Sequence, residues 1–198
     1  MNNENQVTAG TNTAKKNAAI KPGNDTGPLK TFFIDGLKDM LWSEKAIIPG
    51  LQKLHKLCTC EQLCDAFEAH EQQTQKHIAR LEKVFQIMGE KPEAKKCKAM
   101  EGILKEVEEM VEAAPEYSAT RDAVAIIAAQ KVEHYEIASY GGLVALGHTL
   151  GLSQVANMLQ KTLDEEEETD YNLTDIAESY INFEARQEEE EAPAAANA

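Results

Sequence analysis

The sequence predicts an all-α protein in which four long amphipathic helices form two antiparallel hairpins. Three observations lead there. Alanine, glutamate, lysine and leucine dominate the 198 residues, while glycine and proline gather outside the periodic stretches. Apolar side chains recur with a 3.6-residue period along four segments of about thirty residues each. Two of the connections between these segments are very short, whereas the middle one runs to about thirty residues.

The first segment runs from about Pro28 to Leu57. It carries Phe33, Leu37, Met40, Leu41, Glu44, Ile48, Leu51 and Leu54 on one stripe. Pro49 lies inside it, where it removes one backbone donor and predicts a kink just beyond Glu44. The second segment, residues 61–88, presents Leu63, Phe67, His70, Thr74, His77 or Ile78, Leu81, Phe85 and Met88, then stops at Gly89 with Pro92 after it. A shorter helix is expected over 94–113, ending before Pro115. The third long segment, 119–150, shows Ile126, Gln130, Glu133, Ile137, Tyr140 and Val144; Gly151 and Ser153 then punctuate a turn. The fourth, 153–183, shows Val155, Leu159, Leu163, Glu166, Asp170, Leu173, Ile176 and Tyr180. Short turns make hairpins of the first and second pairs, and the crossover carries its own helix. That is the connectivity of a ferritin-like four-helix bundle.

Carboxylates interrupt these stripes near their middles. Glu44, Glu133, Glu136, Glu166 and Asp170 fall on or beside apolar faces. An unpaired buried carboxylate costs several kcal/mol to desolvate, so a cationic partner is expected. Register agrees. Glu44 lies about fourteen residues before the first turn, and Thr74, flanked by His70 and His77, a similar distance after it. Glu133 lies about seventeen residues before Gly151, and Glu166 to Asp170 about fifteen to nineteen after it. One layer would then collect carboxylates from three helices and imidazole from the fourth. Carboxylates bridge divalent ions and cancel their charge while imidazole adds a neutral ligand. The candidate ligands are therefore Glu44, His70, Glu133, Glu136, Glu166 and Asp170, around two divalent ions, Fe or Mn. Within the run DEEEE, Glu165 competes with Glu166 for that role. His77 and Glu71 are weaker candidates. His134, beside the stripe, suits the orientation of a glutamate, and Tyr135 and Tyr140 suit packing. Di-iron bundles usually carry Glu-x-x-His on two helices, and this chain has neither copy.

Composition narrows the alternatives. A formal net charge of −14 argues against a nucleic-acid partner, because phosphate binding needs clustered Lys and Arg. No apolar run approaches the roughly 20 residues of a membrane span, and MNNENQVTAG has no signal-like core, so a cytoplasmic protein is expected. Cys58, Cys60, Cys64 and Cys97 read as thiols rather than a disulfide framework. His55 precedes three of them, but without a C-x-x-C pair a zinc site there is disfavoured. Residues 1–28 read as a disordered arm, 29–183 as the bundle, and 184–198 as a fraying helix end with a flexible acidic, alanine-rich tail.

Four stretches, TFFIDGLKDMLWSEKAI, KCKAMEGIL, AAQKVEHYEIASYG and LDEEEETDYNLTDIA, resemble the YciE/YciF family of bacterial stress proteins. The resemblance covers about residues 29–182, and QKVEHYEIASYG is its most specific part. It implies a ferritin-like, rubrerythrin-related bundle, a homodimer, a role in stress responses and a dinuclear metal centre. Glu44, His70, Glu133, Glu136, Glu166 and Asp170 fall on matching positions, whereas Gln73 stands where relatives often have glutamate.

Two functions follow. In the first, a di-metal oxidoreductase or metal-handling stress protein, bound Fe or Mn reacts with oxygen or peroxide. In the second, a structural or partner-binding dimer, the polar layer is a hydrogen-bonded network with every member satisfied. Iron storage in a closed shell is disfavoured by the long tails and the departures from Glu-x-x-His.

Overall fold

The computed structural model describes residues 27–191. The expected arm lies outside these residues but for its last two positions, as does the tail beyond Glu191. Helices α1 (Pro28–Leu57) and α2 (Glu61–Met88) form the first hairpin, α3 (Lys98–Ala113) lies in the crossover, and α4 (Ala119–Thr149) and α5 (Ser153–Ile176) form the second. A π-helical turn, Ala177–Ile181, leads into α6 (Asn182–Glu191). The described residues contain no strand. The fold is an all-α bundle of the expected connectivity.

Terminators account for the helix ends. Gly89 takes a left-handed φ of 71° at the end of α2, and its N–H returns to the carbonyls of Gln86 and Phe85. Gly151 takes φ 72° in the turn to α5. Ser118 caps α4 by accepting from the Arg121 N–H at 3.1 Å. Helix α2 has no local side-chain cap. Instead Asp122, buried in the first turn of α4, accepts from the backbone N–H groups of Thr59 and Cys60 and from the Thr59 hydroxyl. Helix α1 continues through Pro49 to Leu57.

Several details depart from the periodic reading. Ile47, not Ile48, is the more deeply buried isoleucine of α1. Tyr180 is exposed while Ile181 is buried, because the π-helical turn adds a residue to the repeat and rotates the stripe by one position. The short helix starts at Lys98 rather than 94, where Cys97 accepts at its N-terminus. Helix α6 extends beyond 183, and Glu188 accepts from the Ala119 and Thr120 N–H groups, so this stretch caps α4. Cys58 and Cys64 form a disulfide across the α1–α2 turn, with Cα atoms 5.7 Å apart, which corrects the expectation of thiols. The tight turn brings the two cysteines together, and their mutual bond leaves no thiolate cluster for zinc. Cys60 and Cys97 are free.

The apolar core divides in two. One part packs Phe33, Leu37, Met40, Leu41, Leu81, Val84, Phe85, Leu143 and Leu159 towards the Gly151 end. The other packs Ile47, Leu51, Leu54, Leu63, Phe67, Met100, Ile126 and Leu173 beneath α3. On each long helix the polar residues fall between these two sets. Helices α1 and α4 approach closely at Gly36, where a Cβ would stand 2.9 Å from Leu143 Cδ2.

Candidate metal centre

Each long helix contributes to the layer between the cores. Glu44 comes from α1, His70 and His77 from α2, Glu133 and Glu136 from α4, and Glu166 from α5; all are buried. Spacing along each helix explains their common face. His70 and His77 stand two turns apart, and Glu133 and Glu136 one turn apart.

Two groups of donors share one residue: Glu44, His77 and Glu166 form the first, and His70, Glu133 and Glu166 the second. In the first, His77 Nδ1 lies 2.9 Å from Glu166 Oε1 and 3.5 Å from Glu44 Oε2. In the second, His70 Nε2 lies 3.2 Å from Glu133 Oε1 and 3.9 Å from Glu166 Oε2. Glu166 thus turns a separate oxygen to each group. Donors held about 2.1 Å from a common ion stand roughly 3 to 3.5 Å apart, close to these separations.

The donors do not satisfy one another. Nine buried side-chain polar atoms among the described residues have no hydrogen-bond partner. Seven belong to this layer: Glu44 Oε2, His70 Nε2, His77 Nδ1, Glu133 Oε2, Glu136 Oε1 and both oxygens of Glu166. The imidazole–carboxylate contacts are close in distance but lack hydrogen-bond alignment, as when donors aim at a shared point. Four carboxylates here would balance two divalent cations, leaving both imidazoles neutral. The donor set therefore suits divalent metal, and either group could hold an ion.

The outer sides of both histidines are held. His77 Nε2–H donates to Glu165 Oε2 at 2.9 Å, and Arg80 donates to the same oxygen at 2.6 Å and to Glu165 Oε1 at 3.1 Å. Arg80 also donates to Thr162 Oγ1. His70 Nδ1 faces the Thr169 hydroxyl at 3.4 Å, and that hydroxyl donates to the Glu165 carbonyl. With those outer nitrogens engaged, the inner nitrogens turn towards the carboxylates.

Electrostatics follow from burial and crowding. Burial drives His70 down, but Glu133 and Glu166 outweigh it and carry the ring to about 9. Burial likewise opposes protonation of His77, yet Glu166 and Glu44 raise it to about 10. Burial raises Glu44, Glu166 and especially Glu136, the last also through repulsion by Glu44, Glu166 and Glu133. Glu165 is pushed up by burial but held below the usual carboxylate range by Arg80 and His77. Tyr140, fully buried, donates a short hydrogen bond to Glu44 Oε1. Burial and the nearby carboxylates raise its phenol far above the ordinary value.

Of the six sequence candidates, Glu44, His70, Glu133, Glu136 and Glu166 come together. Asp170 does not. One turn beyond Glu166, it stands level with Gln130, whose amide donates to its Oδ1 at 3.1 Å, and His134 Nε2 lies 3.2 Å from the same oxygen. His134 is 69% exposed and turns to Asp170 rather than to a glutamate of the layer. Glu71 bonds Gln52 at the surface. His77 takes a central place, and its spacing from His70 was the available signal. The Glu165–Arg80 brace and the Tyr140 bond are contacts between helices, which periodicity cannot show.

This bundle, with one acidic layer across four helices, has the ferritin-like architecture. Residues 28–186 match the family described as "Domain of unknown function (DUF892)", and the chain belongs to that family. It is 42% identical over 158 residues to the protein YciF of Escherichia coli, covering 79% of this chain and 95% of YciF. The crystal structure of that E. coli stress protein superposes with a TM-score of 0.73, covering 78% of this chain and 97% of the other. YcfI of Rhodopseudomonas palustris, 33% identical, also gives 0.73, over 76% of this chain and 96% of that one. A two-domain protein of Anabaena variabilis with a ferritin-like domain is 15% identical, with a TM-score of 0.51 over 93% of this chain and 48% of that one. This last likeness concerns the fold alone.

No helix among the described residues is long and apolar enough to cross a membrane.

Proposed function

We propose that the protein is a ferritin-like stress protein with a carboxylate-bridged dinuclear centre of Fe or Mn, which handles peroxide, oxygen or the metals themselves. The observation that carries this reading is Glu166, whose two oxygens face two different histidine-containing groups without a hydrogen-bond partner. Glu44 and His77 would hold one ion and His70 and Glu133 the other, with Glu166 between them. Glu136 would complete the charge balance. Bound Fe or Mn supplies electron exchange with oxygen or peroxide.

The chain's own residues set the conditions for that chemistry. Glu165 and Arg80 fix the His77 ring and keep its Nε2 proton outward, which frees Nδ1 for the centre. Thr169 does the same for His70. Tyr140 holds one Glu44 oxygen and leaves the other to the first group. The two apolar cores exclude water from above and below, which strengthens every charge interaction in the layer. A stress role is supported by the likeness to E. coli YciF, a homodimer by the family resemblance, and a cytoplasmic location by the signal-free opening of the sequence.

The competing reading, a hydrogen-bonded network in a structural protein, is supported by the close imidazole–carboxylate pairs. It leaves the seven orphaned atoms without a reason. Metal analysis of Glu44→Ala combined with Glu133→Ala separates the two. About two ions per chain, by the two-metal logic of such sites, should fall to none, and the melting temperature should stop responding to Fe(II) or Mn(II). Unchanged metal content and unchanged melting would end the di-metal reading.

A further inference from the structure

We propose that a cleft beside α2 and α5 admits and holds a small neutral hydrogen-bonding molecule, of hydrogen peroxide size, against the His70–Glu133 side of the centre. This rests on the dinuclear reading above and names the ligand class and the face it uses. The cleft has a volume of about 100 Å³, and both His70 and Glu133 line it. His70 Nε2 and Glu133 Oε2 are buried behind this wall. A molecule in the cleft therefore stands against the two residues that would hold the second ion and finds its hydrogen bonds in the lining.

The two halves of the centre differ in access. His77 is fully buried, and its outer nitrogen is closed off by Glu165 and Arg80. Neither His77 nor Glu44 lines this cleft or the larger hollows beside α1 and α4. These hollows reach the centre only on the side of the second group.

Lining chemistry selects the ligand. Gln73, Thr169 and Asn172 offer amides and a hydroxyl, which both donate and accept. Apart from His70 and Glu133 the lining carries no charged side chain, so nothing draws in an ion. Phe67, Leu51 and Leu173 supply an apolar wall. The volume is below the roughly 150 Å³ void that encloses benzene in an engineered protein, so only a small molecule sits fully within it. A second void, of about 20 Å³ and lined by apolar residues together with Glu133, lies under α1, α3 and α4. It is too small and apolar to take a hydrogen-bonding ligand.

Ala69 and Asn172 lie at the exposed edge of the cleft. Ala69→Trp and Asn172→Trp each place an indole over it, while Ala46→Trp fills the groove beside α3, lined by Ala46, Pro49, Lys53 and Leu104. Each variant is loaded with Fe(II) without oxygen, its metal content and melting temperature are recorded, and hydroxylamine, uncharged at slightly alkaline pH, is titrated spectroscopically as a probe of peroxide size. Peroxide consumption is followed in parallel. The expected result is hydroxylamine binding weakened at least tenfold, and slower peroxide loss, in Ala69→Trp and Asn172→Trp. Metal content and melting should match the parent chain, and Ala46→Trp should bind hydroxylamine normally. Full hydroxylamine affinity in both cleft variants, or weakening confined to Ala46→Trp, would overturn the cleft while leaving the centre intact. Absence of bound metal in the parent chain would overturn the centre and the cleft with it.

Discussion

The two apolar cores and the polar layer between them are built from the same four helices, yet they are completed in different ways. In the cores every partner is supplied by the chain: Phe85, Leu159 and Leu37 are buried against one another's neighbours with no exposed surface. In the layer the chain brings four carboxylates and two imidazoles to one place and leaves seven of their atoms unsatisfied. Burying apolar surface is favourable in itself, whereas burying these charges is not, unless something opposes them. The stability of the cores should therefore be indifferent to divalent ions, and that of the layer governed by them.

The largest effect should come from the cores. Leu159→Ala should cost about 2–5 kcal/mol, and Phe85→Ala about 3–5, through lost burial and a residual cavity. Denaturant unfolding with and without Fe(II) or Mn(II) should give the same loss; a loss that depends on metal would merge the two regions. Next in size is the effect of metal on the intact chain. Ions at about ten times their dissociation constant should stabilise it by about 1.4 kcal/mol per independent site, about 3 kcal/mol for two, and chelation should reverse this. No shift of the melting curve on chelation would count against the layer as a binding site.

A gain of about the same size or less is expected, without metal, when the layer is made apolar. Replacing Glu44, His70, His77, Glu133, Glu136 and Glu166 together by leucine should leave the metal-free protein about 1–4 kcal/mol more stable, and insensitive to metal. A network satisfied by its own members would be stabilised by that replacement too, so a parent chain whose melting ignores metal while the leucine variant gains stability would favour the network.

Dependence on pH sharpens the contrast further. His70 and His77 are raised to about 9 and about 10, and Glu44, Glu136 and Glu166 are raised too. Groups raised on folding bind more protons in the native state, so their contribution is complete below the unfolded values and is lost as pH climbs. The metal-free chain should lose stability as pH rises from near 6.5 through about 9 to 10 on account of the histidines. Bound ions require deprotonated donors, so the loaded chain should show the opposite trend over the neutral range. Parallel curves for the two forms would contradict this assignment. The smallest effect should be Asp170→Ala, which removes a half-exposed contact worth no more than about 1 kcal/mol and should leave metal content unchanged.

Much of the fold was legible because period and terminators agree. Helices α1 and α2 end where the apolar stripe meets a turn or Gly89, and α4 begins at the Ser118 cap. The acidic residues of α4 were legible for the same reason, since Glu133 and Glu136 lie on a face otherwise occupied by Ile126 and Tyr140. Periodicity lost its power where the outcome depended on a neighbouring helix. His77 and the adjacent Ile78 fit the stripe of α2 about equally well, and only the position of Glu166 decides between them. Asp170 shares its stripe with Glu166, but Gln130 and His134 of α4 meet it at that height. The Cys58–Cys64 disulfide depends on the geometry of one turn, and the cap supplied by Glu188 is hidden within a run of identical glutamates.

Anomalous diffraction from crystals of the protein loaded with Fe(II) or Mn(II) addresses the central claim directly. Two peaks should appear in each chain, one within bonding distance of Glu44, His77 and Glu166 and the other within reach of His70, Glu133 and Glu166. A map without metal peaks in that layer, in which ordered water or lysine and arginine side chains meet these carboxylates, would contradict it.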